Sequence, residues 1–74
     1  MEFNGKRFGK WVKAERTKRG LSCYLLGPQI GMHPTSLGKI EAGALDVRMS
    51  TFLAICNGFN RSPAKVLAEM VDAL

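Results

Sequence analysis

The 74-residue sequence predicts an all-α fold of five short helices in a single domain over residues 1–74. Glycine, proline and residues that favour helix caps interrupt the chain at short intervals. Between these interruptions apolar residues recur every three or four positions, as they do on the buried face of a helix. No run of alternating apolar and polar residues is long enough to predict a strand. A chain of this length buries only about 60% of its unfolded surface, so we expect one domain with a thin core.

The first helix is predicted over residues 5–19. Asn4 precedes it and is a favoured N-cap residue. Phe3 and Phe8 have the spacing of a hydrophobic staple around that cap. Gly20 ends the helix, because glycine readily adopts the left-handed conformation that follows a last helical turn.

Two short helices follow, separated by a tight turn. Ser22 caps a helix over residues 23–30, Gly31 begins the turn, and Pro34 occupies the first position of a third helix. The apolar residues that would seal the angle between the two helices are Leu26, Ile30, Met32, Leu37 and Ile40. This spacing is typical of a helix-turn-helix, whose second helix presents its N-terminal half to base edges in the DNA major groove.

The last two helices follow a short loop. Gly43 ends the third helix, and the fourth is predicted over residues 49–58. Asn60 can adopt a left-handed turn, and Ser62 and Pro63 then supply the cap and first position of a fifth helix. The residues expected to face inward are Phe52, Ile55 and Cys56 in the fourth helix, and Val66, Leu67, Met70, Val71 and Leu74 in the fifth.

The charge of the chain is uneven. The sequence has 11 Lys and Arg against 6 Asp and Glu, a formal net charge of +5. Residues 1–20 hold seven of the basic residues and two of the acidic ones, so the entire excess lies in the first segment. Such a segment first suggests nucleic acid as the partner, although acidic proteins and anionic lipid also fit it. The lysines of the first helix would equally suit a face that is merely solvated.

Little in the sequence supports an enzyme, a cofactor, a metal site or a small-molecule ligand. Cys23 and Cys56 are too far apart for a metal-binding or redox pair, and we expect both to be reduced thiols. His33 is the one histidine and has no cysteine or carboxylate at ligand spacing, so we expect it in a turn or cap. We expect no signal peptide and, without an apolar run of about 18 residues, no membrane span, which together favour the cytoplasm.

From about Phe8 to Leu67 the chain resembles the phage-repressor and Cro family of helix-turn-helix proteins, also called the xenobiotic-response-element family. The residues that carry the resemblance are Arg16, Gly20-Leu21-Ser22, Leu26, Gly31, Leu37, Lys39-Ile40-Glu41, Gly43, Phe52, Ile55 and Phe59. The resemblance implies a five-helix lambda-repressor-like DNA-binding domain with its helix-turn-helix at about residues 22–42. It also implies a Cro-like or small repressor protein in a bacterial or bacteriophage-infected cytoplasm.

The resemblance also implies roles for individual residues. Arg16 and Glu41 match an internal ion pair that fixes the docking angle of the third helix. The positions that match base contacts are Pro34, Thr35, Gly38 and Lys39, and those that match phosphate contacts are Ser22, Cys23, Ser36 and Arg48. At Arg48 a plain surface role fits as well as a phosphate contact.

The chain departs from the family pattern at several positions. Cys23 stands where the family usually has glutamine, which removes an amide that would contact phosphate. Gly27 replaces the usual alanine and is followed by Pro28, so we expect the second helix to be short, kinked or late in starting. Glu15 occupies a position that is usually apolar, and His33 caps the third helix instead of serine or threonine. With few side-chain donors on the reading face, we expect specificity to depend partly on DNA shape.

Trp11 and Tyr24 occupy positions that are usually polar in the family. They would either pack on each other or over the edge of a thin core, or form a surface for a protein partner, as in an antitoxin or anti-repressor. Val71 and Leu74 could form a two-fold contact, because dimers of this fold read palindromic half-sites about 34 Å apart. We therefore expect a homodimer on a double-stranded DNA operator. Nonspecific DNA binding fits the charge but does not account for the helix-turn-helix spacing.

Overall fold

A computed structural model describes residues 2–72. The elements are β1 (Glu2–Phe3), α1 (Gly5–Lys18), α2 (Cys23–Gln29), α3 (Pro34–Glu41), α4 (Met49–Gly58), α5 (Pro63–Met70) and β2 (Val71–Asp72). The predicted all-α fold of five helices is confirmed, and the first four helices end within one residue of their predicted bounds. No helix in the described part of the chain combines the length and the apolar character needed to cross a membrane.

Side-chain caps begin four of the five helices. The Asn4 side chain accepts a hydrogen bond from the backbone N–H of the third residue of α1, and Ser22 and Ser62 do the same for α2 and α5. His33 caps α3, whereas Arg48 precedes α4 without a side-chain cap. The residues with positive φ are those that follow the helices: Gly20, Gly31, Gly43 and Asn60. The cap residues therefore account for helix bounds that could be read from the sequence.

A short antiparallel pair of strands joins the two ends of the chain, and the sequence analysis missed it. Phe3 pairs with Val71, and Glu2 pairs with Asp72. The backbone N–H of Asn4 donates to the Met70 carbonyl at 2.6 Å. The prediction that Val71 continues the fifth helix is wrong, because α5 ends at Met70 and the chain turns extended to pair with β1. Leu74 lies outside the described residues.

Among residues 2–72 the core consists of eleven buried apolar residues: Phe8, Val12, Leu26, Leu37, Ile40, Phe52, Ile55, Cys56, Phe59, Val66 and Met70. An aromatic cluster links β1, α1 and α4. Phe8 lies 5.6 Å from Phe3 and 5.1 Å from Phe52 between ring centroids. The contact between Phe3 and Phe8 confirms the predicted hydrophobic staple.

Gly27 explains why α2 tolerates its unusual sequence. An ideal Cβ at Gly27 would lie 2.6 Å from the Met32 carbonyl oxygen, so only glycine lets the turn fold this closely against α2. Pro28 lies in the last turn, where its missing N–H removes one hydrogen bond from the end of the helix. The helix is short, at seven residues, and it begins at Cys23 as the cap predicts.

Candidate nucleic-acid interface

The turn between α2 and α3 holds the two helices at a fixed angle. Gly31 has a φ of 70°, and the Met32 N–H donates to the Gly27 carbonyl at 2.8 Å. Leu26 of α2 and Leu37 of α3 are both fully buried in the angle. Since the buried side of α3 is fixed by these contacts, its opposite side is turned to solvent.

Three of the four predicted base-contact residues form one exposed face of α3. Thr35 and Lys39 are exposed, and Gly38 is half-buried between them. Their spacing of three and four residues places them together on the helix surface. A Cβ at Gly38 would meet nothing within 4 Å, so this glycine leaves open space on the face. Pro34 is half-buried at the first position of the helix.

His33 has the cap role expected from the sequence. Its Nδ1 atom accepts a hydrogen bond from the Thr35 N–H at 3.1 Å. The cap satisfies one of the free donors at the start of α3. No group of three or more His, Cys, Asp or Glu side chains between residues 2 and 72 is arranged to hold a metal ion.

Arg16 and Glu41 lie in a bidentate ion pair that joins α1 to the end of α3. Arg16 donates from Nε to Oε2 at 2.7 Å and from Nη2 to Oε1 at 2.9 Å. A third hydrogen bond runs from Nη1 to the Leu21 carbonyl at 2.8 Å, which attaches the segment before α2. The side chains are only 16% and 8% exposed. The Glu41 hydrogen bond raises the pKa of Arg16.

The Cys23 side chain is turned towards this ion pair. Its Sγ donates to Glu41 Oε2 at 3.5 Å, and burial, with the nearby carboxylate, raises the pKa of the thiol. A predicted phosphate contact at Cys23 would thus depend on its backbone N–H. Ser22 is exposed, but its hydroxyl oxygen already accepts the capping bond from Leu25.

The other two predicted phosphate contacts lie together on the opposite side of α3. Ser36 and Arg48 line one open groove between α3 and the start of α4. Arg48 is exposed and pairs with no carboxylate among the described residues. The structure thus places Ser22 and Cys23 on one side of α3 and Ser36 and Arg48 on the other.

The helix-turn-helix family model matches residues 12–66 of the sequence. The chain belongs to the helix-turn-helix family. The match confirms that the resemblance to Cro and phage repressors is a family relationship. This helix-turn-helix protein is accordingly a DNA-binding transcription regulator.

Two crystal structures of the clp gene regulator ClgR from Corynebacterium glutamicum have a similar fold. The first has a TM-score of 0.79 and 23% identity, and covers 89% of this chain and 70% of that chain. The second also has a TM-score of 0.79, with 21% identity, and covers 95% of this chain and 91% of that one. At these identities the likeness shows the fold alone. No curated protein matches the sequence significantly.

This helix-turn-helix protein has a second set of ion pairs, centred on Glu15, that the sequence analysis did not find. Glu15 is buried, at 7% exposure, and accepts hydrogen bonds from Arg19 and Arg61. Arg19 also donates to the Phe59 carbonyl at 2.9 Å and lies over the Phe59 ring. The hydrogen bond from Arg19 lowers the pKa of Glu15. The four-residue spacing of Glu15 and Arg19 could have predicted their ion pair. The pairing of Glu15 with Arg61 has no such signal, because Arg61 lies far away in sequence.

Trp11 and Tyr24 do not pack on each other. Trp11 stacks on Phe8 at 5.7 Å and meets Phe59 edge-on at 5.6 Å, so it covers the edge of the core. Tyr24 is 80% exposed, and Leu25 beside it is 57% exposed. The interpretation that these aromatics pack on each other or over the edge of the core is therefore right for Trp11, which covers that edge, and wrong for Tyr24.

Proposed function

We propose that this protein is a phage-type Cro-like or small repressor that binds a palindromic operator as a homodimer through α3. The observation that carries the proposal is the exposed face of α3, held in place by the bidentate Arg16–Glu41 pair. An ion pair that joins α1 to the end of α3 restricts how α3 can tilt. The pair would thereby fix the angle at which α3 enters the major groove.

The side chains on this face have distinct uses in base reading. Lys39 can donate to O6 and N7 of guanine, and Thr35 can form a hydrogen bond or touch a thymine methyl. Pro34 offers an apolar contact only. Gly38 adds no side chain, so it allows the helix to approach the base edges closely. Few base contacts are available, and sequence-dependent DNA shape would supply the remaining specificity.

Phosphate contacts on both sides of α3 would fix its register in the groove. On one side the N–H groups at the start of α2, at Cys23 next to Ser22, would bind a phosphate. On the other side Arg48 is exposed, and the Ser36 hydroxyl lines the same groove. Two flanking phosphate contacts position the helix without carrying sequence information.

The dimer contact proposed at the end of the chain would involve Val71. Val71 is half-buried in β2, where it pairs with Phe3. A two-fold contact there would place two copies of α3 for half-sites about 34 Å apart. The oligomeric state on operator DNA tests this part of the proposal.

The decisive experiment is selection from random duplex DNA at about 150 mM salt, followed by sequencing. We expect an enriched palindrome with half-sites about one turn apart. Lys39→Ala should then cost about 1–3 kcal/mol of binding free energy and relax the preference at one base pair. Thr35→Asp should also weaken binding, because it places a negative charge against the DNA. Lys65→Ala, which changes an exposed lysine on α5, is the matched control. Unchanged affinity in both α3 variants would contradict the assignment of the reading face.

The exposed Tyr24 favours a second candidate function. With Leu25 it forms an apolar surface patch on α2, which a protein partner could cover, as in an antitoxin or anti-repressor. In that case Tyr24→Ala should abolish the activity that depends on this protein partner and leave DNA affinity intact. Trp11→Ala is less informative than the sequence suggests, since Trp11 packs on the core.

A further inference from the structure

We infer that the DNA-contact surface extends onto α1, where Lys6, Lys10 and Lys13 bind backbone phosphates that flank the half-site read by α3. We call these three residues the lysine stripe. The inference rests on the proposed DNA binding and adds to it a second contact region. It gives a specific role to the basic excess of the first segment, for which a merely solvated face is the alternative.

Arginines and lysines have different partners in this fold. Four of the five arginines form ion pairs with carboxylates: Arg7 with Asp72, Arg16 with Glu41, and Arg19 and Arg61 with Glu15. Within residues 2–72 no lysine forms such a pair. The arginines thus stabilise the fold, and most of the uncompensated positive charge is carried by lysines.

The lysine stripe lies on the side of α1 that is close to α3. Its members are all exposed and are spaced by four and three residues, so they lie along one side of the helix. Gly9 lies on the adjacent flank, where an ideal Cβ would come within 2.4 Å of the Ile40 carbonyl oxygen of α3. Lys13 is four residues after Gly9 and three before Arg16, which pairs with Glu41 at the end of α3. The stripe therefore runs along the flank of α1 that borders α3.

The lysine stripe also extends to the part of α1 that lies beside the start of α2. Cys23 contacts Glu41, which is bound to Arg16, so the start of α2 lies beside this part of α1. The positive charges of Arg16 and Lys13 both act on the Cys23 thiol and oppose the rise in its pKa caused by burial. Lys13 therefore lies on the part of α1 next to the start of α2, on the flank that also borders α3.

The charges near each lysine predict that the three lysines contribute unequally to phosphate binding. Lys6 lies at the far end of the stripe, next to Gly43, and it lines a groove that also contains Glu2 and Asp46. These carboxylates reduce the positive potential around Lys6. We therefore expect Lys13 and Lys10 to make the stronger phosphate contacts.

The test compares two double variants that remove the same charge. Lys10→Gln/Lys13→Gln changes the stripe. The control, Lys18→Gln/Lys65→Gln, changes two exposed lysines elsewhere: Lys18 on the other flank of α1 and Lys65 on α5. Circular dichroism establishes that both fold. Affinity is measured for each from about 50 to 200 mM salt, on a duplex of about 30 base pairs centred on the selected operator.

The stripe variant should lower the slope of log affinity against log salt by about 1.8, or about 0.9 for each lost phosphate contact. The ratio of the affinity of the unmodified chain to that of the stripe variant should accordingly fall about tenfold over this salt range. The same ratio for the control variant should change far less. Trimming the duplex to the two half-sites should remove the difference between the variants.

Two outcomes would overturn the inference, and they can be told apart. Equal slopes for both double variants, with operator affinity still lost in Lys39→Ala, would reject the stripe and leave the proposed function standing. Failure of the unmodified chain to bind any duplex would reject the proposed function and the stripe with it.

Discussion

The Arg16–Glu41 pair provides the sharpest test of how this small fold is held together. Arg16→Met keeps the aliphatic stem and removes three hydrogen bonds, two to Glu41 and one to the Leu21 carbonyl. Glu41 is then left with a side chain only 8% exposed and the Cys23 thiol as its remaining donor. Leaving one partner of a buried pair alone costs about 3–5 kcal/mol.

That loss is large for a chain of this size. At 0.05–0.15 kcal/mol per residue, we expect a total free energy of unfolding of about 4–11 kcal/mol. The single variant should therefore be close to unfolding, with its melting temperature lowered by about 12 °C or more. Urea unfolding followed by circular dichroism measures the free energy of unfolding. Thermal unfolding followed by the same signal measures the melting temperature.

The double variant Arg16→Met/Glu41→Leu separates the pair from its surroundings. It leaves no unpaired charge, so its stability should be close to that of the unmodified chain or above it. Its operator affinity should nevertheless fall, because the ion pair then no longer restrains the tilt of α3 against α1. A single variant that loses less than about 1 kcal/mol would refute the reasoning, since that is the range of an exposed pair.

Four further predictions concern other parts of the fold. Gly27→Ala should destabilise the chain by about 1–3 kcal/mol in urea unfolding, because its Cβ would meet a backbone carbonyl. Gly38→Ala, where the space is open, should instead stabilise it by up to about 1 kcal/mol. Loss of stability in the second variant would contradict the described geometry of α3. His33→Ala should cost about 0.5–2 kcal/mol through the lost helix cap, and His33→Ser should restore most of it. The hydrogen bond from Arg19 holds the pKa of Glu15 below the ordinary carboxyl pKa. The ionised Glu15 side chain therefore stabilises the fold above the ordinary carboxyl pKa, and this stabilisation is lost as the pH falls through the lower pKa that Glu15 has in the folded chain. Stability measured against pH should therefore fall less steeply below about pH 5 in Glu15→Gln, and an unchanged acid profile would count against this assignment.

Helix bounds could be predicted because the signals that set them are local. Asn4, Ser22 and Ser62 cap the helices that follow them, and glycines in the left-handed region end three helices. These residues act through neighbours within one turn, so their effects are visible in any short stretch of sequence. The core positions followed from the same helical spacing.

The features that were missed depend on contacts between distant parts of the chain. Strands of two residues show no alternation, so pairing of Phe3 with Val71 has no local signature. Glu15 is held by Arg61 as well as by its helical neighbour, and only folding brings that second arginine near. Exposure of Tyr24 could not be inferred either, because aromatic residues in small domains are usually part of the core.

The short β1–β2 pair has a consequence for the order in which the fold is completed. Glu2 and Phe3 are synthesised early, but their partners Asp72 and Val71 leave the ribosome only after α1–α5 have been made. The contacts among α1, α2 and α3 join residues much closer in sequence and can form before then. Contacts between residues so far apart in sequence form slowly because a large loop must close first. In a growing chain the contacts among α1, α2 and α3 can therefore form before β1 pairs with β2.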